Sequence, residues 1–407
     1  MTDTGQLTFL CLAGYEKGHE FLREIKRQGC RVLLVTATGL EGADWPRESI
    51  DESFFLPDMY DLATMINGVS YLARSRRIDR IVALDDFDVE SAAALREHFQ
   101  FPGLGTTVAR RFRDKLAMRT AAAAAGLPVP DFIGLFNHEA LEEWLGRVPG
   151  PWVLKPRGEA AASGIAILHS AEEFWPRLEP LGDRQSLHLL ERYLPGEVFH
   201  VDSVVYDGTV QLAEVHQYGR PPLDIMQGGG AFVTRRVPRG TADETALRDL
   251  NARVIAALGL PRGVTHAEYI KADADGQFYF LEIASRVGGA NIAETIEAAT
   301  GINLWREWAR IEIDGGAGDY RLPPMRADHA GVVISLARQE EPDTAQFDDP
   351  EIAYRIVKRH HVGFVIAAAD HERVQALLDD YTIRIMRDYA TSLPAPDRLR
   401  IAPDQRQ

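Results

Sequence analysis

Val264-Thr265-His266-Ala267-Glu268-Tyr269-Ile270 and Gln277-Phe278-Tyr279-Phe280-Leu281-Glu282-Ile283-Ala284 are two short alternating runs joined by Ala272-Asp273-Ala274-Asp275-Gly276. Such runs around a polar, glycine-ended connection read as a β-hairpin. With Ala274-Asp275-Gly276 as the loop and Gly276 left-handed, Glu268 lies directly opposite Glu282, their Cβ atoms about 5 Å apart. Val264, Ile270, Phe278 and Phe280 are expected on the same face, so two carboxylates meet over a largely dry surface. Like charges that close raise a carboxyl pKa strongly unless a cation lies between them. Oxygen ligands with few protein donors suit magnesium carried in with the phosphates of a nucleotide. The competing reading is a solvated hairpin with two chance acids.

The length of 407 residues implies roughly two or three domains with real cores. Lysine and arginine number 45 against 60 acids, a net charge of −15, so no basic stripe exists to neutralise a phosphate backbone. Nucleic acid is excluded as an expected partner. The start, Met1-Thr2-Asp3-Thr4-Gly5, has neither the basic nor the apolar part of an export signal, and no apolar run is long enough for a bilayer. A cytoplasmic protein without membrane contact is expected. Cys11 and Cys30, the only cysteines, sit in apolar runs and read as buried core thiols.

In the first hundred residues, apolar strands (Leu7 to Ala13, Arg31 to Thr36, Ile78 to Leu84) alternate with helical patterns (His19 to Gln28, Leu62 to Arg74, Val89 to Phe99). That alternation predicts a parallel-sheet, Rossmann-like α/β domain. Asp85, Asp86 and Asp88 follow the third strand, either at the carboxyl edge where open sheets bind ligands or as a helix cap with solvated acids. No dinucleotide or Walker-type phosphate loop is complete. A basic, alanine-rich helix is expected from Thr106 to Ala125, ended by Gly126, Pro128 and Pro130. Beyond it, Trp152-Val153-Leu154-Lys155-Pro156, the loop Arg157-Gly158-Glu159-Ala160-Ala161-Ala162-Ser163-Gly164 and Ile165 to Leu168 form a strand, loop, strand unit able to fold its amides over phosphates. A helix near Ala171 to Leu181 follows, and a small terminal unit carries strands at Gly331 to Leu336 and Gly363 to Ala368 and a helix at His371 to Asp380.

Five segments in order then carry a resemblance: Asp114-Lys115-Leu116-Ala117-Met118-Arg119 with Gly126-Leu127-Pro128-Val129-Pro130, Val153-Leu154-Lys155-Pro156, Glu191-Arg192-Tyr193-Leu194-Pro195-Gly196-Glu197, His266-Ala267-Glu268, and Leu281-Glu282-Ile283-Ala284-Ser285-Arg286-Val287-Gly288-Gly289. The chain resembles the ATP-grasp superfamily, in its carboxylate-amine ligase branch, similar to L-amino acid ligases. The resemblance implies an α/β and α+β multidomain protein. Residues 1–105 would be a pre-ATP-grasp α/β domain, 106–190 the central lid subdomain, 191–320 the catalytic subdomain and 321–407 a small C-terminal α/β unit.

The family implies a task for each matching position. Lys115 and Lys155 resemble the two phosphate-holding lysines, and Ser163 lies in the phosphate loop between them and the hinge. Glu191, Arg192, Tyr193 and Leu194 resemble the hinge that pairs with the adenine edge, and Glu197 the carboxylate that accepts from ribose hydroxyls. Glu268 and Glu282 resemble the ligands of magnesium (or manganese). Arg286 resembles the arginine that holds the transferred phosphoryl group, Gly288 and Gly289 let the backbone approach the substrate, and a helix from Asn291 to Ala299 aims its dipole there. His266, facing the metal pair, and His216, before a glycine loop at Gln227 to Gly230 that reads as a substrate lid, are candidates for the base that deprotonates the amine. Where many members carry Glu-x-Asn this chain has Glu282-Ile283-Ala284, so Ser285, water or substrate must complete any second ion.

The activity so implied is an ATP-dependent ligation of a small carboxylate, such as an amino acid, to an amine through an acyl phosphate. Other chemistries of the family, carboxylation of a biotin or purine intermediate, and a non-catalytic nucleotide-binding regulator are the alternatives. The intact lysine, glutamate and arginine set argues against the regulator. A homodimer is common among similar proteins.

Overall fold

The computed structural model describes residues 6–159 and 164–391. Strands β1 (Thr8–Ala13), β2 (Arg31–Ala37), β3 (Glu52–Leu56) and β4 (Arg80–Ala83) form a parallel sheet in the order β3-β2-β1-β4. Every residue of β1 is buried, as befits a parallel strand covered on both faces. The covers are α1 (His19–Arg27), α2 (Leu62–Ala73) and α3 (Val89–Phe99). Edge strand β3 was not expected, because its half-exposed sequence lacks a continuous apolar run. Cys11 and Cys30 are free, buried thiols.

The acids after β4 are neither solvated nor open. Asp85 accepts from the Phe87 amide at 3.0 Å and from Lys17, Asp86 pairs with Arg113 at 3.0 Å, and Asp88 accepts from the Gly14 amide at 2.7 Å. Arg113 thereby ties this unit to the next.

The expected helix from Thr106 to Ala125 is two, α4 (Thr106–Arg110) and α5 (Lys115–Ala124). Asp114 causes the break: its side chain accepts from the Leu116 and Ala117 amides, the geometry of an N-cap. A second sheet follows, of β5 (Phe132–Gly134), β6 (Trp152–Pro156), β7 (Ala166–Leu168) and β8 (His188–Arg192), antiparallel in the order β5-β8-β6-β7. Helices α6 (His138–Arg147) and α7 (Ala171–Leu178) close its core around Trp144, Phe174 and Leu190.

The remainder is one antiparallel sheet of β9 (Gly196–Tyr206), β10 (Thr209–Tyr218), β11 (Phe232–Arg236), β12 (Gly263–Ala272), β13 (Phe278–Ala284), β14 (His329–Leu336), β15 (Ile352–Arg355) and β16 (His361–Ala368). Its order is β13-β12-β9-β10-β11-β14-β16-β15. The strands beyond residue 321 therefore extend the sheet that holds the hairpin, through pairing of β11 with β14. Helix α8 (Pro222–Gly228) ends inside the segment read as a glycine loop, and Gly229 and Gly230 lie beyond it. Helix α9 (Ala242–Leu258) and α5 bury Leu247, Val254 and Met118 against one face. On the other face lie α10 (Ile292–Thr300) and α11 (Leu304–Asp314), which share a core with the N-terminal unit, Trp308 meeting Phe21 at 5.1 Å. The final helix, α12 (His371–Asp388), packs on β14 and β16. No helix among the described residues is long and apolar enough to cross a membrane.

Candidate active site

Glu268 and Glu282 are register partners of β12 and β13, flanked by His266 opposite Ala284 and Ala267 opposite Ile283. Gly276 in the connection is left-handed, at φ 69°. Nearer the turn the register slips by one: Tyr269 faces Phe280 and Ile270 faces Tyr279, which leaves Leu281 as a bulge beside Glu282. One extra residue moves every side chain beyond it to the other face. Phe278 and Phe280, expected beside the carboxylates, therefore lie in the core under α9 with Tyr269. Tyr279 and Leu281 take their place against Ile270, Val198 and Tyr218.

In this structure the cation on Glu282 is an ammonium. Lys115, first residue of α5, places Nζ 2.9 Å from Glu282 and 2.6 Å from the Glu159 carbonyl oxygen. Burial pushes the Glu282 carboxyl up, but Lys115 and Lys155 outweigh it and hold the group down at about 2. Lys155, buried at the end of β6, bonds to the Glu191 carboxylate, and burial lowers its pKa. Glu191 also accepts from Arg119 Nε and Nη2 at 3.2 and 3.0 Å. Its side chain thus braces Lys155, a contact beyond the hinge role that the resemblance implies. Arg119, fully buried in α5 one turn beyond Lys115, was missed, though spacing of four on one helix face was the available signal.

Glu268 is held from the opposite side. The Tyr218 hydroxyl donates to its Oε1 at 2.7 Å, and His266 Nε2 stands 3.6 Å from the same oxygen. His266 Nδ1 faces Asp202 Oδ1 at 2.9 Å, and the other Asp202 oxygen faces His200 Nδ1 at 2.6 Å. Burial opposes charge on His266, but Asp202 and Glu268 raise its pKa to about 9. His200, Asp202 and His266 bring metal-type donors together, yet each donor atom between them is spent on a mutual hydrogen bond, so the trio is not a metal centre. The acid pair, with oxygen donors only and both members partly exposed, fits a hard divalent cation. His216 departs from its expected role. It is fully enclosed, its ring stacked 4.8 Å from His200 with neither nitrogen bonded among the described residues, and burial drives its pKa far down. An enclosed ring reaches neither substrate nor solvent.

Arg286, just past β13, is half-buried, donates to the Val287 carbonyl at 2.9 Å and keeps an enclosed Nε unbonded among the described residues. A Cβ on Gly288 would come 2.9 Å from Asp202 Oδ1 and 3.0 Å from His266 Nδ1, so only glycine fits. Gly289 is exposed, and Ala290 and Asn291 both hold left-handed backbones, at φ 50° and 60°. Such residues cost about 1–3 kcal/mol each and persist where the fold enforces them. They turn the chain into α10, whose N-terminus has no side-chain cap. Ser285 lines a cavity against Ala83, Val264 and Trp308, at the N-terminal unit. In the hinge, the amides of Arg192 and Tyr193 are taken by the carbonyls of Asp131 and Pro151, at 2.8 and 2.9 Å. That leaves the Leu194 amide without a protein partner among the described residues. Glu197 is exposed and accepts from Gln217 at 2.9 Å. Ser163 lies outside the described residues.

No family model matches the chain. It is 26% identical over 291 residues to an L-arginine-specific L-amino acid ligase of Bacillus subtilis, across 67% of this chain and 70% of the relative. Similarity to a D-alanine–D-alanine ligase of Neisseria gonorrhoeae is 24% over 238 residues, 57% of this chain and 72% of that one. The fold superposes on the crystal structure of an L-amino acid ligase from Bacillus licheniformis with a TM-score of 0.75 and 16% identity, covering 94% of this chain and 98% of that one. The chain has the ATP-grasp fold and is similar in sequence to amino acid ligases. N5-carboxyaminoimidazole synthetase from Staphylococcus aureus shares the ATP-grasp architecture at a TM-score of 0.70 and 15% identity, over 93% of this chain.

Proposed function

We propose that the protein is an ATP-dependent ligase that activates the carboxylate of an amino acid and joins it to an amine. The observation that carries this reading is that Glu268 and Glu282 face one another across the hairpin with Lys115 on Glu282, while Lys155 stands close enough to act on the same carboxylate. A divalent cation, magnesium in the first instance, would be held by those two glutamates and would neutralise phosphate charge.

Lys115 and Lys155 bind the phosphates as compact point charges, and Glu191 and Arg119 keep Lys155 in place. The free Leu194 amide and exposed Glu197 suit the adenine edge and the ribose hydroxyls. A carboxylate oxygen attacks the γ-phosphorus, the bond to the bridging oxygen breaks, and ADP leaves. The amine nitrogen then attacks the acyl carbon, the carbon–oxygen bond breaks, and phosphate leaves. Arg286, half-buried and with a planar, permanently charged fork, orients the oxyanions of both steps. His266, which Asp202 and Glu268 keep charged up to about pH 9, is thereby unsuited to receive the proton that the amine sheds and serves instead to hold Glu268 through Nε2.

A phosphate-release screen over pairs of amino acids, with mass spectrometry of products, tests the reading. Amide product with stoichiometric ADP is expected; ATP hydrolysis stimulated by bicarbonate alone would move the protein to the carboxylases. Glu282→Gln and Arg286→Ala should each abolish ADP formation while leaving the fold intact, and Glu282→Gln, which takes the counter-charge from buried Lys115, should also lower the melting temperature. Wild-type turnover in either variant overturns these assignments.

A further inference from the structure

Asp202 has no task in the reaction above, yet it is a fully buried carboxylate in the middle of the sheet. A group of that kind is costly to bury unless every lone pair is engaged. Its engagement is ordered. On β9 it is the register partner of His266, and its neighbour His200 is the register partner of Glu268. Each carboxylate oxygen meets one imidazole Nδ1, and His200 Nε2 is in turn 2.8 Å from Thr234 Oγ1. A carboxylate only accepts, so both Nδ1 atoms must carry hydrogen. This settles the orientation of the His266 ring: Nε2 is the atom turned to the Tyr218 hydroxyl, 3.4 Å away, and to Glu268. The same Asp202–His266 bond is the floor on which Gly288 rests, two residues beyond Arg286.

We propose that Asp202 is a positioning residue. It holds the His266 ring, and through that ring and Tyr218 it fixes Glu268 for the cation, while seating the loop that carries Arg286. The inference rests on the functional reading above. Outer partners of this sort usually matter by about 10- to 100-fold in metal affinity or activity.

The test is calorimetry of ADP binding with and without magnesium chloride, on wild type, Asp202→Asn and Tyr218→Phe. An asparagine amide accepts from one imidazole and presents N–H to the other, so one ring must give up its Nδ1 hydrogen or turn over. In Asp202→Asn the affinity for ADP alone should stay at the wild-type value, while the gain from magnesium falls by about 10- to 100-fold. Tyr218→Phe, which removes one oxygen and leaves the core shape, should lose part of the same gain. A merely structural role would lower both affinities together, and that result, or a full magnesium gain in Asp202→Asn, overturns the inference. Should Asp202→Asn fail to fold, a full magnesium gain in Tyr218→Phe overturns it equally. If wild type itself shows no magnesium-dependent binding of ADP, the functional reading falls first and the inference with it.

Discussion

Asp88 is buried with a single hydrogen bond, from Gly14, and its second oxygen has no partner among the described residues. Burial, aided by Asp85, pushes its carboxyl up to about 7. Between the ordinary carboxyl range and that value, the folded protein keeps a proton that the unfolded chain releases. Stability from this group is therefore complete at low pH and is lost as pH rises through about 7. Asp88→Asn, neutral throughout and still able to accept from Gly14, should melt above wild type at pH 8, with the gap narrowing toward pH 5 in paired thermal scans. A gap that does not vary with pH would show that Asp88 is not protonated. At this scale, legibility followed chemistry. The facing of Glu268 and Glu282 was readable from the hairpin register and Lys155 from its place at the end of an apolar strand, whereas Lys115, at the start of a helix, stood out only through the resemblance. His216 misled because alternation along a strand says which face a side chain takes, but not whether a helix covers that face.

Helix α5 shows how one element sets the site. Asp114 caps it, pairs with Arg157 through Nε at 2.9 Å, and so presents Lys115 to Glu282 and Arg119 to Glu191. Asp114→Ala should cost about 1 kcal/mol from the cap alone and weaken ADP binding. Asp114→Asn should restore most of the stability, because an asparagine oxygen caps as well, while the loss of charge toward Arg157 keeps nucleotide binding low. Equal melting and equal binding in both variants would remove the cap from the account. The two-helix break was legible in Asp-Lys-Leu-Ala as a cap signature, but a continuous run of helix formers concealed it. The bulge at Leu281 was not legible, because a slip of register is chosen by what packs on each face, here Phe280 against Tyr269.

Across the whole molecule, the sheet that carries the hairpin also carries the C-terminal strands. Ala231 and Val233 of the β10–β11 side share a core with Val333, Phe364 and Leu378. A chain ending at Tyr320 would bare the edge of β11 and that apolar face, and should aggregate or bind an apolar dye; a monodisperse fragment that still binds ADP by size exclusion and calorimetry would contradict this. What the amino-acid order determined by itself was local: strand and helix periods, the facing glutamates, the strand-end lysine and the glycines past Arg286, all set by spacing along a few residues. The folded chain alone decided that Lys115 reaches Glu282, that Glu191 is shared by Lys155 and Arg119, and that Asp202 stands behind His266. Those contacts join residues far apart in the chain, and only the packing of layers, which depends on every side chain at once, brings them within hydrogen-bonding range.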